Sequence, residues 1–245
     1  MQNSDSTAYK FGDSELAGDR LRLLAAAFEP SSRKFLESLR HRNPSTIADL
    51  GCGPGYTTRL LAEVFPSAKV FGFDNSPNFI SQARTTGDGR IEFQLADVTR
   101  RFSDERFNLI YARYLLTHVS QFLETVQLWG ECLTPAGLIA IEENEWIKTE
   151  QAEFQQYLSI VNSMLAAGGQ QLYVGVQLDA VSHWRPLARV SSELVPIHLD
   201  AKSAARLFLP NLLNWRHQVF IRQNYSETTL DQLERNLRDI AEGKK

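Results

Sequence analysis

Apolar residues recur at two different periods along the 245-residue chain, and the change from one to the other divides it. Over residues 14–28, Ala17, Leu21, Leu24 and Phe28 fall three or four apart, the spacing of one helical face, with Asp13 and Ser14 as candidate caps. Pro30 is read as the end of that helix. Ser31 or Ser32 then caps a second one running to about residue 40, and Asn43-Pro44-Ser45 breaks it. From residue 46 the pattern alternates. Short apolar runs at 46–50, 69–73, 91–95, 107–111 and 137–142 predict strands. Helical patterns lie between them at 56–65, 76–84 and 119–133, and Ser76-Pro77 supplies an N-cap serine followed by proline at the first helical position. Strands that alternate with helices imply βαβ units, hence an α/β fold with a mostly parallel sheet covered on both faces. After residue 150 the alternation stops. Helices are expected at 150–167, 177–184, 202–224 (with a break possible at Pro210) and 227–243, and a strand at 192–199.

The charge and composition narrow the function classes. A formal net charge of −3 gives no basic face for nucleic acid, and Arg40-His41-Arg42 and Arg100-Arg101 read as solvated spots. Two cysteines, Cys52 and Cys132, make neither a disulfide framework nor a metal-ligand spacing. The polar start MQNSDSTAYK has no apolar core of a signal peptide, and no run is long enough to span a bilayer. The expectation is a cytoplasmic protein with no nucleic-acid or membrane partner. Nothing in the pattern sets an oligomeric state.

In parallel sheets ligands bind beyond the C-terminal strand ends, so the residues just after each strand carry the chemistry. The first strand ends in Asp49 and a turn with Gly51, Gly53 and Gly55. A dinucleotide fingerprint requires G-x-G-x-x-G, and Tyr56 occupies the third glycine position. A carboxylate at Asp49 would also repel a pyrophosphate. The second strand ends in Asp74, placed as a partner for a ribose diol, since Ser76 already takes the capping role. The third ends in Asp97, which suits an adenine amino group or a plain loop cap. Three acids around one mouth suit a ligand with hydroxyls, amines and positive charge and no phosphate.

Ile47-Ala-Asp-Leu-Gly-Cys-Gly-Pro-Gly55, Val70-Phe-Gly-Phe-Asp-Asn-Ser76 and Phe93-Gln-Leu-Ala-Asp-Val98 resemble, in order, motifs of the class I S-adenosylmethionine-dependent methyltransferases. Residues 107–119 and 133–142 resemble that family's later motifs, so the likeness runs over about residues 46–143. The resemblance implies a Rossmann-like core over 46–147, an N-terminal helical lid segment over 1–45 and a mainly helical substrate-side region over 148–245. It implies S-adenosyl-L-methionine as cofactor, with the glycine turn holding its methionine part. Asp74 beside Asn75 would bind the ribose, Asp97 and the Val98 backbone the adenine, and Asp49 would sit near the cofactor's amino group. Arg113 would line the cofactor, and Tyr114, Glu143, Asn144 and Trp146 the acceptor. His118 is the candidate general base, or else a helix-start histidine with structural hydrogen bonds. Tyr9 and Phe11 would fold over the sulfonium by cation–π attraction, and Arg20 would meet the cofactor carboxylate or lie on the surface.

The chain departs from the family's pattern at Ala136, where a second glycine is common, and at Asn108, where an aspartate is common. The family's sheet usually closes with an antiparallel pair, for which the stretch around Val195 and the Val219-Phe220-Ile221 run are the candidates. There is no Asn-Pro-Pro-Tyr motif of DNA amino-methylating enzymes and no Pro-Cys dipeptide for attack on cytosine. The apolar, aromatic-rich tail suits a small, partly hydrophobic acceptor methylated on oxygen, nitrogen or carbon. The competing readings are an NAD-dependent reductase and a non-catalytic protein that keeps the fold and the cofactor.

Overall fold

The computed structural model describes residues 15–85, 88–181, 183–184 and 186–244, so the expectations for Tyr9, Phe11 and the caps Asp13 and Ser14 fall outside the described residues. The chain begins with α1 (Glu15–Ser38), a single helix that carries Pro30 in its interior. Two helices were expected here. The buried face instead continues through the proline, with Ala25, Ser32 and Leu36 all covered, and packing of that stripe outweighs the lost amide. The Ser31 hydroxyl donates to the Phe28 carbonyl on the turn that contains the proline.

Five parallel strands form the sheet: β1 (Thr46–Leu50), β2 (Lys69–Asp74), β3 (Ile91–Leu95), β4 (Phe107–Arg113) and β5 (Leu133–Glu142), in the order β3-β2-β1-β4-β5. Between them run α2 (Tyr56–Val64), α3 (Pro77–Ala83) and α4 (Phe122–Gly130). The residues 119–121 that were expected to begin the last of these follow a single turn of 3-10 helix, Leu116–His118, instead. Strand alternation sorts the core into two layers. Phe71, Phe73, Phe107 and Trp129 fill one face, while Ile47, Val70, Leu109 and Tyr111 pack with Leu61 of α2 and Leu36 of α1 on the other. The strand order reverses between β1 and β4, which opens a crevice above their C-terminal ends.

The C-terminal part has its own core. α5 (Ala152–Ala167), α7 (Ala201–Trp215), α8 (Val219–Asn224) and α9 (Glu227–Glu242) bury Tyr157, Leu165, Trp215, Leu230 and Leu237 together. Buried Arg216 bonds Glu227, Asp231 and Glu234 of α9. The expected helix at 177–184 is displaced: α6 (Val174–Ala180) starts earlier, on buried Val174, and a short hairpin of β6 (His183–Trp184) and β7 (Leu187–Ala188) follows. Pro210 sits inside α7, and the break falls after Trp215, where Gln218 N–H turns back to the Trp215 carbonyl. The strand expected at 192–199 does not form. That stretch has no ladder partner, Pro196 removes a donor, and Leu194, Val195 and Ile197 stay exposed. Val219-Phe220-Ile221 is helical, so among the described residues β5 pairs only with β4 and no antiparallel strand closes the sheet.

Candidate functional site

The turn after β1 is built from conformations that other residues resist. Gly51, Gly53 and Gly55 have φ of 67°, 52° and 83°, the left-handed region that glycine enters freely. A side-chain carbon at Gly51 would meet Leu115 Cδ1 at 2.8 Å, whereas at Gly53 the nearest atom is Leu21 Cδ1 at 3.4 Å. The turn is stitched to β2: Cys52 N–H donates to the Phe73 carbonyl, and Gly53 N–H donates to Asp74 Oδ2 at 2.8 Å. Asp74 Oδ1 accepts from Ser76 N–H at 2.8 Å, which aims the carboxylate back over the glycines. Ser76 Oγ meanwhile caps α3 by accepting from Phe79 N–H, the role the sequence assigned to it.

Asp49 lies beneath the turn, outside the cavity wall. It is buried, and its Oδ2 accepts hydrogen bonds from Thr57 and Thr58 Oγ1, each at 2.6 Å, so it ties the end of β1 to the first turn of α2. Loss of hydration raises its pKa from 3.8 to about 6, against the opposing pull of the two hydroxyls and Arg113. An acid whose folded pKa lies above its unfolded one stabilises the fold only while protonated. Stability should therefore fall as pH rises from about 4 to about 7, by up to about 3 kcal/mol from this group. Asp49→Asn should remove that dependence: in urea unfolding, the stability of the variant relative to the wild type should grow over this range. Parallel curves at both pH values would refute the assignment.

The cavity above the strand ends encloses about 2300 Å³ and brings together most of the residues singled out in the sequence. Arg20, Asp74, Asn75, Asp97, Val98, Arg113, Tyr114, His118, Glu143, Asn144 and Trp146 all line it, with Gly51 and Gly53 of the turn. Gly55 does not line it; it lies against Phe93. Asp97 Oδ1 accepts from Thr99 N–H and Oγ1, its Oδ2 is 3.4 Å from Arg100 Nε, and the Val98 carbonyl accepts from Trp129 Nε1. Tyr114 holds a left-handed φ of 52° and meets Phe28 edge-on, with ring centroids 5.1 Å apart. Burial pushes its phenol well above the usual range. Trp146 stands at the rim under the Lys148 ammonium, which is 4.5 Å from the ring centroid.

The paired acids at the end of β5 point apart, as strand alternation requires. Glu142 accepts from Tyr111 Oη and from Ser32 Oγ, and Ser32 in turn accepts from Arg113 Nη1 at 3.0 Å. Glu143 turns the other way and accepts from Leu116 N–H at 2.6 Å and Thr117 Oγ1 at 3.1 Å, holding the turn that carries His118. Burial raises the Glu143 pKa to about 7, with these hydrogen bonds opposing the rise. The sequence reading gave Phe28 and Ser32 only helical roles and did not single out Gln170. Gln170 Nε2 donates to the His118 carbonyl from 52 residues away, and no local pattern announces such a contact.

Comparison with known proteins locates the same region. Residues 47–137 match the family described as a methyltransferase domain. A trans-aconitate 2-methyltransferase of Streptomyces avermitilis is 38% identical over 106 residues, 41% of this chain and 39% of that protein, so the chain matches well under half the length of this relative. A trans-aconitate 2-methyltransferase of Escherichia coli O139:H28 is 32% identical over 209 residues, 80% of each chain. Among solved structures, an S-adenosylmethionine-dependent methyltransferase from Mesorhizobium loti is 28% identical with a TM-score of 0.38, covering 44% of this chain and 53% of that one.

Proposed function

This chain belongs to the S-adenosylmethionine-dependent methyltransferases, and from that premise we propose that it transfers the cofactor's methyl group to a small, partly hydrophobic molecule. The observation that carries the reading is the donor set around the turn: the acids Asp74 and Asp97 at successive strand ends, Asp49 below, and left-handed glycines that leave the main chain approachable at Gly53. Such a set fits a cation with hydroxyls and an amine and disfavours a pyrophosphate, which separates it from a nicotinamide-dependent reductase.

When bound, the cofactor supplies an electrophilic methyl carbon on a positively charged sulfur. In this reading the Asp74 carboxylate accepts from the ribose hydroxyls, a carboxylate having about four acceptor sites. Asp97 and the Val98 backbone border the adenine, and Arg20 and Arg113, which line the cavity, meet the cofactor's carboxylate. Asp49 contributes a negative field from below the turn. Alignment and exclusion of water account for most of the rate in a displacement of this kind. Tyr114, Glu143, Asn144 and Trp146 shape the acceptor side, and His118 takes a proton from an acceptor that must lose one.

Calorimetric titration with S-adenosylmethionine, S-adenosylhomocysteine and NADH, followed by a methylation assay over a metabolite panel that includes trans-aconitate, tests the proposal. Micromolar binding of the two sulfur compounds, none of NADH and a methylated small molecule are expected. Methylation of RNA or protein alone, or binding with no methylated product anywhere in the panel, would sink it.

A further inference from the structure

Ser32, fully buried on α1, reaches across to the ends of β4 and β5. Its hydrogen bonds have one permitted direction. A guanidinium has only donors, so the 3.0 Å contact from Arg113 Nη1 takes a lone pair of Ser32 Oγ. The serine's own proton is then left for Glu142 Oε2, 3.1 Å away. The other oxygen of Glu142 is held by the hydroxyl of Tyr111, which is itself fully buried. A chain therefore runs from Arg113 through Ser32 to an anchored carboxylate. The strand register sets where that chain begins. β4 pairs with β1 through Ala112 and Leu50, so one step further along Arg113 stands level with Gly51 of the turn, and on its other side it pairs with Glu142. Asp49 and Glu142 both feel its charge, yet Asp49 Oδ2 is engaged by Thr57 and Thr58, and Glu142 by Tyr111 and Ser32. Nε and Nη2 of Arg113 have no protein partner among the described residues and are not sealed from the cavity that the side chain lines. Arg20, on the same helix as Ser32, lines that cavity as well.

From this geometry, and resting on the methyl-transfer reading above, we propose that Ser32 is a positioning residue for the cofactor: it holds Arg113 so that the free edge of the guanidinium meets the methionine carboxylate of S-adenosylmethionine. A direct pair between Arg113 and Glu142 would commit the guanidinium fork to the protein. The interposed hydroxyl orients the fork through one nitrogen and leaves the other two to the ligand. Recognition of the amino-acid end of the cofactor then depends on α1 being seated on the sheet, because the residue that aims Arg113 belongs to that helix.

Calorimetry on the full chain tests this with two probes. S-adenosylhomocysteine carries the carboxylate, whereas 5′-methylthioadenosine keeps the adenosine and the sulfur and has no amino-acid tail. Ser32→Ala should weaken S-adenosylhomocysteine about tenfold, since Arg113 loses its orientation while Arg20 remains, and should leave methylthioadenosine within about twofold of its wild-type affinity. Arg113→Met should weaken S-adenosylhomocysteine at least as much and again spare methylthioadenosine. In that background Ser32→Ala should add less than about twofold, because the side chain through which it acts is gone. Equal weakening of both probes by Ser32→Ala would reduce the serine to a structural role and overturn the proposal. Unchanged S-adenosylhomocysteine binding in Ser32→Ala, or the same loss with and without Arg113, would overturn it too. Full S-adenosylhomocysteine affinity in Arg113→Met would do so even if Ser32→Ala failed to fold. Failure of S-adenosylhomocysteine to bind the wild type is a different result: it would strike the methyltransferase reading and take this inference with it.

Discussion

Asp74→Ala should weaken S-adenosylmethionine binding at least about a hundredfold while leaving a folded protein. The carboxylate stands at the end of β2, its Oδ2 on Gly53 N–H and its Oδ1 on Ser76 N–H. In the proposed complex it also accepts from the ribose hydroxyls. A hydrogen bond to a charged group contributes about 1.5–3 kcal/mol, so loss of two at once exceeds the roughly 2.7 kcal/mol that corresponds to a hundredfold. The substitution also frees Gly53 N–H and loosens the turn against β2, which acts in the same direction. Calorimetry reads the affinity, and a thermal melt of the same sample checks the fold. A variant that melts like the wild type and binds within threefold of it would remove Asp74 from the ribose site.

The parts of this architecture that the chain announces are those fixed by local pattern. Parallel strands buried on both faces read as short apolar runs, as Phe71, Phe73, Ile47 and Val70 do in β1 and β2, and a strand forms at each of the five runs; β5 alone starts four residues early, at Leu133, where the end of a helix was expected. The place of Asp74 and Asp97 in the cavity wall was legible because ligands of such sheets bind beyond the C-terminal strand ends. What was not legible depends on contacts across the fold. Pro30 reads locally as a stop, yet the buried stripe through Ser32 and Leu36 carries α1 past it. Residues 192–199 have the composition of a strand and no neighbour to pair with. Asp49 has a second role that only the fold shows: the Thr57 and Thr58 hydroxyls, on the helix that follows the turn, donate to its Oδ2. Gln170 has no signal in its own segment, because its meaning comes from the His118 carbonyl.

The glycine turn is the place where sequence, packing and binding depend on one another most tightly, and Gly55→Ala should expose this as a loss of about 2–5 kcal/mol in folding stability. Two costs add. With φ of 83°, an alanine at this position is held in the left-handed region, at about 1–2 kcal/mol. The new carbon would also stand 2.6 Å from Phe93 Cζ and 2.8 Å from Phe93 Cε1. Arg59 Nη1, also at 2.8 Å, can swing aside, but the Phe93 ring cannot: it is buried and packs equally closely over Gly72 on β2. Overpacking of a filled core costs about 1–3 kcal/mol. The total is a large share of the 5–15 kcal/mol typical of a domain, and the ring transmits the displacement to the turn that presents Gly53 N–H to Asp74. Gly89→Ala is the matched control, since a carbon there meets nothing within 4 Å, and it should stay within about 0.5 kcal/mol of the wild type. Urea unfolding of the two variants side by side decides the matter. If Gly55→Ala proves as stable as Gly89→Ala, the Phe93 ring has room to move, and the rigidity assigned to the turn must come from Asp74 and the Asp49 threonine pair instead.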